Sequence, residues 1–234
     1  MVSFVPHGPF LTSAASPVVD AGWLVERFVG PASEFHARAV PEPCGRAVWV
    51  HEVDRPALVL GSAQHDGVAD RDALGVHGVE LVRRRSGGGA VLLVPGAVLW
   101  VDVLLPAGDA LWDDDIGRST HWLGSVWAAV LGREARVHTG PMVHRTWSKV
   151  VCFAGLGPGE VTVGGRKAVG ISQRRTRGGA RFQCALYRAF DADLLCALLA
   201  APRPSAHELV DDVHLVDEPM AAVLDRFVRS LPTT

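Results

Sequence analysis

The sequence predicts an α+β fold: a single domain with a mixed, largely antiparallel sheet flanked by helices. Three observations lead there. Helix-like and strand-like segments follow one another in an order that is not a strict βαβ alternation. Short β-like segments between residues 150 and 187 are joined by glycine-rich turns, as in an antiparallel meander. Finally, 48% of the 234 residues are hydrophobic, enough for one generous core, and no repeat, long linker or low-complexity stretch divides it. The predicted domain spans residues 1–234.

In chain order, Pro17 to Val29 (PVVDAGWLVERFV) carries apolar residues at helical spacing and stops at Gly30-Pro31, which predicts a first helix. Residues 47–53 and 57–60 read as strands separated by the Asp54-Arg55-Pro56 turn. A short helical segment over 68–74 precedes a strand over 79–84. Residues 90–94 and 97–105 flank Pro95-Gly96, the turn chemistry of a hairpin. Residues 116–131 keep a 3.6-residue apolar period up to Gly132 and form the clearest helix. The segments 150–153, 160–163, 167–173 and 181–187 make the meander. Helical patterns over 191–199 and 219–231 close the chain, the first ended by Pro202-Arg203-Pro204.

A formal charge of -2 supplies no global basic field for nucleic acid, and the apolar runs are too short to span a bilayer. The N-terminus has no Lys or Arg ahead of its apolar residues, unlike a secretion signal, so a cytoplasmic protein with neither nucleic acid nor membrane as partner is expected. Cys44, Cys152, Cys184 and Cys196 form no CxxC pair and the histidines are scattered. No disulfide framework and no metal site are predicted. Each cysteine taken alone reads as a small buried hydrophobe.

Two segments carry chemistry. Leu81 to Val91 runs three arginines into three glycines (LVRRRSGGGAV). Glycines let backbone N–H groups approach a ligand, and guanidiniums offer forked donors to phosphate or carboxylate, although a tight turn with solvated arginines has the same letters. The second, Val161 to Phe190, holds seven basic residues and no Asp or Glu, with too few aromatics for a stacking surface. Within it, Lys167 is conspicuous: of 23 basic residues only Lys149 and Lys167 are lysine. A compact ammonium between Gly165 and Gly170 suits an oxygen that gathers charge in a transition state. Lys149 is expected to be exposed.

RRRSGGGAV followed by GRKAVGISQ resembles the catalytic domain shared by lipoate-protein ligases, biotin-protein ligases and octanoyltransferases, closest to the lipoate branch. Gly61-Ser62-Ala63-Gln64 fits that family's GxxQ segment, and Glu160 lies seven residues before Lys167 as its acidic residue does. The resemblance covers roughly residues 17–200. It implies the biotin/lipoate ligase catalytic-domain type of α+β fold. It also implies that Gln64, Arg84, Ser86, Gly87, Gly88, Gly89, Ala90 and Glu160 bind substrate or nucleotide, and that Lys167, with Gly170 behind it, contacts the acyl oxygen and the phosphate of an acyl-adenylate. The implied activity is lipoate-protein ligation, with ATP and Mg as co-substrate. A lipoyl or octanoyl group would pass to a lysine on the lipoyl domain of a 2-oxoacid dehydrogenase subunit or on the glycine-cleavage carrier protein.

The chain departs from the pattern at three places. Val91 to Gly96 replaces the aromatic, His-Asp and Gly-Asn that often follow the glycines, Gly159 stands where ATP-using members carry Asn, and Gln183-Cys184-Ala185 replaces Gln-His-Gly. The C-terminal accessory domain of two-domain ligases is not expected. In one octanoyltransferase class a thioester-forming cysteine lies in a Cys-Phe segment about fifteen residues before the lysine, as Cys152-Phe153 does here. Such an enzyme takes octanoyl from octanoyl-carrier protein with no nucleotide. Cys184 is a weaker candidate nucleophile. An ATP-dependent ligase using lipoic or octanoic acid, a transferase working through Cys152, and a non-catalytic acyl- or protein-binding relative therefore all stand as alternatives.

Overall fold

The computed structural model describes residues 18–20 and 22–233. Its first elements are strands, β1 (Val18–Asp20) and β2 (Trp23–Gly30), and not the helix predicted over 17–29. Pro17 and Ala21 of that segment lie outside the described residues. Trp23 and Val25 are buried while Leu24 is exposed, a period of two that its β-branched neighbours favour, and Gly22 turns the chain at φ 85°. Helix α1 (Ala32–Ala37), also unforeseen, crosses to β3 (Ala47–Val53), which pairs parallel to β2.

β4 (Ala57–Leu60) follows as predicted, and the next helix, α2 (Arg71–His77), lies slightly later than expected. Its boundaries are set by caps: the Asp70 carboxylate accepts from the amides of Asp72 and Ala73, and Gly78 ends it in the left-handed region. β5 (Glu80–Arg83) pairs parallel to β4, and β6 (Val91–Leu93) antiparallel to it, making a small three-stranded sheet. The expected hairpin across Pro95-Gly96 does not form. Gly96 turns the chain with φ 70°, but the next strand, β7 (Val98–Pro106), leaves for another sheet, where it pairs with β3. Turn chemistry specifies a reversal and not a hydrogen-bonding partner.

Helix α3 (His121–Leu131) follows a short 3-10 turn, so the predicted helix over 116–131 starts late but ends at Gly132 as expected. β8 (Ala135–Val137), unforeseen, pairs with β9 (Val161–Val163). β9, β10 (Arg166–Arg175) and β11 (Gly179–Tyr187) form the predicted antiparallel meander. Residues 150–153 are not one of its strands: Cys152–Ala154 is a 3-10 turn, and Val151 makes a single parallel bridge to Ala90. The large sheet thus has eight strands in the order β1-β2-β3-β7-β11-β10-β9-β8.

Three helices close the chain: α4 (Ala192–Ala197), the unforeseen α5 (Ala206–Val210) and α6 (Met220–Arg229). α3 and α6 cover one face of the large sheet, and Trp127 and Phe227 stack there with ring centroids 3.9 Å apart, both fully buried. Truncating such an aromatic removes its burial and leaves a cavity. Phe227→Ala is expected to cost about 3–5 kcal/mol, read as a lower urea midpoint at unchanged slope. The small sheet packs on the other face, where Val59, Val82 and Leu93 meet Trp100, Phe153 and Tyr187. The candidate site lies between the two sheets.

Candidate active site

Three strands of the large sheet supply the floor in direct register: Trp100 on β7 faces Ala185 on β11, which faces Gly170 on β10. In the neighbouring row Asp102 faces Gln183, which faces Ser172. Above the floor lies an apolar cavity whose walls include Val59, Val91, Leu93 and Phe153. A second, more polar cleft of about 690 Å³ is bordered by Gly87, Gly88, Gly89, Ser148, Glu160 and Lys167. Cys152, Ile171 and Ser172 line both, so the two spaces meet at Cys152.

Lys167 sits at a β-bulge between β9 and β10. Its backbone is held from outside the meander, the amide donating to the Asp212 carbonyl at 2.8 Å and the carbonyl accepting from His214 at 2.9 Å. The side chain is 3% exposed. Its Nζ reaches the carbonyls of Cys152 at 3.0 Å and Gly155 at 3.2 Å and pairs with Glu160 Oε1 at 2.7 Å. Nζ also lies 3.9 Å from Cys152 Sγ and over the Phe153 ring. Burial works against the ammonium, but its neighbours Cys152 and Glu160 outweigh it and hold the Lys167 pKa above its ordinary value. Glu160 is fixed in turn by the amides of Gly157 at 2.6 Å and Ile171 at 3.1 Å. At Gly170 a Cβ would press on Phe153 and on Lys167 Cε.

The glycine loop packs directly on Cys152. A Cβ at Gly89 would lie 2.7 Å from the Cys152 nitrogen, and one at Gly88 3.6 Å from its sulfur, with Gly88 at φ 99°. The backbone pins the two segments together, Ala90 N–H to Val150 O at 2.7 Å and Cys152 N–H to Ala90 O at 3.0 Å. Arg84 is not free to hold an anion as the resemblance implied. It is buried, and its guanidinium donates to the carbonyls of Val59, Gly87 and Gly89, which makes it the strut of the loop. Gln64 lines neither cavity. Its amide bridges the Gly61 N–H to the carbonyls of Lys149 and Val150, tying that turn to the segment leading into Cys152. Ser86 Oγ bonds Ser172 Oγ and Gln183 Oε1, each at 2.9 Å, tying the loop to the floor.

The other cysteines and the second lysine divide plainly. Cys184 and Cys196 are buried and Cys44 is half-buried. Burial pushes the Cys184 thiol well above its ordinary range on the sheet face packed against α3, which removes it as a nucleophile. Cys152 is half-buried at the junction of the cavities. Lys149 is exposed.

Three features carried no signal in the sequence. A groove of about 590 Å³ beside the apolar cavity is lined by Arg38, Arg85 and Arg174 together with His36 and Gln183, and none of these three guanidiniums has a carboxylate partner among the described residues. His36 is buried, stacks on Trp100 at 4.5 Å between centroids, and meets the Gln183 amide through Nδ1 at 3.3 Å. Behind it, Asp102 accepts from His51 at 2.9 Å, Trp100 at 2.8 Å and Arg181 at 2.8 Å in a fully buried network. Scattered histidines have no spacing to betray such roles.

Burial pushes the His36 pKa down to about 3, so the ring is neutral in the folded protein. The unfolded chain takes up this proton near pH 6.5 and the folded chain does not, so stability is complete above that pH and falls as pH drops toward 3. The expected slope is about 1.4 kcal/mol per pH unit for this proton. His51, lowered by the same cause, adds to it. Thermal melts between about pH 7 and 4.5 should show this loss, and His36→Gln should flatten it.

The family model described as the lipoyl protein ligase A/B catalytic domain matches residues 34–229. A search of curated proteins finds no match. Among solved structures, lipoate-protein ligase A bound with ATP is similar at 20% identity and TM-score 0.62, over 88% of this chain and 84% of the other. A bi-partite lipoate protein ligase with its E2 lipoyl domain, from Thermoplasma acidophilum, is similar at 19% identity and TM-score 0.66, over 88% and 80%. P. falciparum LipL1 in complex with lipoate follows at 14% identity and TM-score 0.53, over 80% and 50%. At these identities the likeness is one of fold. No helix among the described residues is long and apolar enough to cross a membrane.

Proposed function

Because the chain belongs to the lipoyl protein ligase A/B catalytic-domain family, we propose that it transfers a lipoyl or octanoyl group to a lysine on a lipoyl domain, through a thioester on Cys152. The observation that carries this reading is the position of Cys152 Sγ, 3.9 Å from the Lys167 ammonium where the apolar cavity opens into the polar cleft. An acyl tail lying in the first space brings its carbonyl to the sulfur, and the cleft admits the acceptor amine. The acceptor class is supported by the solved bi-partite ligase, which is described with its E2 lipoyl domain.

In the first step the Cys152 thiolate attacks the carbonyl of an acyl thioester on a carrier, the new C–S bond forms, and the carrier thiolate leaves with the proton Cys152 gave up. In the second, the lysine amine attacks the Cys152 thioester, the C–N bond forms, and the Cys152 sulfur takes back the amine proton. Lys167 lowers the cost of the oxyanion in both steps. Its three N–H donors already meet oxygens, so the oxyanion displaces the longest of these contacts, the Gly155 carbonyl at 3.2 Å. The amides of Gly87, Gly88 and Gly89 have no acceptor among the described residues, and the loop that carries them packs on Cys152.

The residues of the polar cleft fit ATP with Mg poorly. Its ammonium is already matched by Glu160, and that carboxylate, bound to Lys167 and two amides, is not free to take a metal. One observation favours the ligase reading all the same. The groove of Arg38, Arg85 and Arg174 has the charge to receive phosphates beside the acyl cavity.

Intact mass spectrometry separates the readings. With octanoyl-carrier protein the wild type should gain one octanoyl group, and Cys152→Ser should gain none. Pyrophosphate release from ATP with octanoate, together with an active Cys152→Ala, would favour the ligase. Lack of any lipoyl-domain modification with either donor would point to a binding protein.

A further inference from the structure

The wall of the apolar cavity includes one half-used polar side chain. His36 lines it, is buried, and its Nε2 has no hydrogen-bond partner among the described residues. The Gln183 amide donates to Nδ1, because Gln183 Oε1 is taken by the Ser86 hydroxyl. That fixes the tautomer: Nδ1 accepts, and Nε2 carries the proton. Burial keeps the ring neutral, so a single N–H donor stands without an acceptor among the described residues on a ring that borders the apolar cavity. Leaving such a donor unmet is costly, and a ligand that meets it recovers that cost.

The direction of the cavity says which part of a ligand would do so. Its floor is the row Trp100, Ala185, Gly170, with Phe153 and Cys152 over the Gly170 end and His36 stacked on Trp100 at the other. Strands in a sheet stand about 4.8 Å apart, so the row spans roughly 10 Å, the length of an acyl chain of about eight carbons. An acyl carbonyl at Cys152 therefore puts the distal end of the chain at His36. A saturated octanoyl tail offers the Nε2 proton nothing, whereas a ring or chain bearing a sulfur or oxygen acceptor there does.

We propose that His36 is a specificity-determining residue, whose Nε2–H selects acyl groups with an acceptor atom at the distal end and so prefers the dithiolane of a lipoyl group to a plain octanoyl chain. This rests on the acyl-transfer reading above. The test is a competition between lipoyl and cyclopentylpentanoyl groups, the second having the same ring shape with carbon in place of both sulfurs. Both are offered in equal amounts, as thioesters and separately as free acids with ATP, to the full chain and a lipoyl domain, and the two products are counted by mass.

The wild type should favour the lipoyl product roughly fivefold. His36→Phe, similar in size but without a donor, should bring the ratio to about one, and His36→Gln, which keeps a donor, should retain part of the preference. Equal products from the wild type, or a preference that His36→Phe leaves unchanged, would overturn the proposal while leaving acyl transfer standing. If His36→Phe does not fold, the His36→Gln ratio and the wild-type ratio decide it. No acyl product from either donor form would overturn the acyl-transfer reading, and the selectivity with it.

Discussion

Lys167→Arg is expected to lower acyl transfer by at least about 100-fold with the protein still folded, because the step loses an oxyanion donor in its working position. The charge is retained, so Glu160 keeps a cationic partner and circular dichroism should stay native. The shape is not retained. Three oxygens surround the ammonium at 2.7–3.2 Å in a buried pocket, an arrangement that fits three N–H bonds from one point and not a planar fork. Phe153 and Gly170 crowd the position of the ammonium, so the guanidinium settles displaced from it. Arginine is the informative replacement. Lys167→Met would strand the Glu160 carboxylate in the interior at a cost of about 3–5 kcal/mol, confusing stability with catalysis. Initial rates of lipoyl-domain modification alongside a thermal melt provide the check, and near-normal rates would remove Lys167 from the chemistry.

Gly61→Ala should be nearly as damaging from outside the cleft. A Cβ at Gly61 would lie 1.9 Å from the carbonyl oxygen of Gly88, a backbone atom that moves only with the glycine loop. Gly88 itself, at φ 99°, has few conformations to move to. Overpacking of this kind costs about 1–3 kcal/mol. A displacement of about 1 Å at the loop is enough to lower the rate about 100-fold. The denaturation midpoint and the rate of acylation should both fall. Gly87→Ala is the control, since a Cβ there meets nothing within 4 Å, and its stability should match the wild type.

The site was legible in the sequence where its residues lie in contiguous motifs. RRRSGGGAV and GRKAVGISQ give the loop, the lysine and Gly170, and the spacing to Lys167 gives Glu160 and Cys152. What the motifs did not give is the job of each residue. Arg84 looks like an anion ligand as a letter, and only the packing shows its guanidinium turned back on its own loop. The helix expected over 17–29 failed because thirteen residues with mixed apolar spacing suit either period, and parallel pairing with β3 decided between them. The hairpin at Pro95-Gly96 failed for a different reason: β7 pairs along its whole length with β11, and β6 joins β4 in the small sheet. His36 and Gln183 are joined by 147 residues of chain and by one hydrogen bond, and no local pattern spans that distance.

The strap at residues 212–214 separates the site from its signature. All the motif residues precede residue 174, yet the backbone of Lys167 is clasped on both its amide and its carbonyl by Asp212 and His214. Arg145 reaches the same Asp212 side chain, and Trp147 bonds Glu208 at 3.0 Å, so the loop bordering the cleft is moored to this late segment as well. A fragment cut after α4 would keep both glycine-rich motifs and lose the hand that holds the lysine in place.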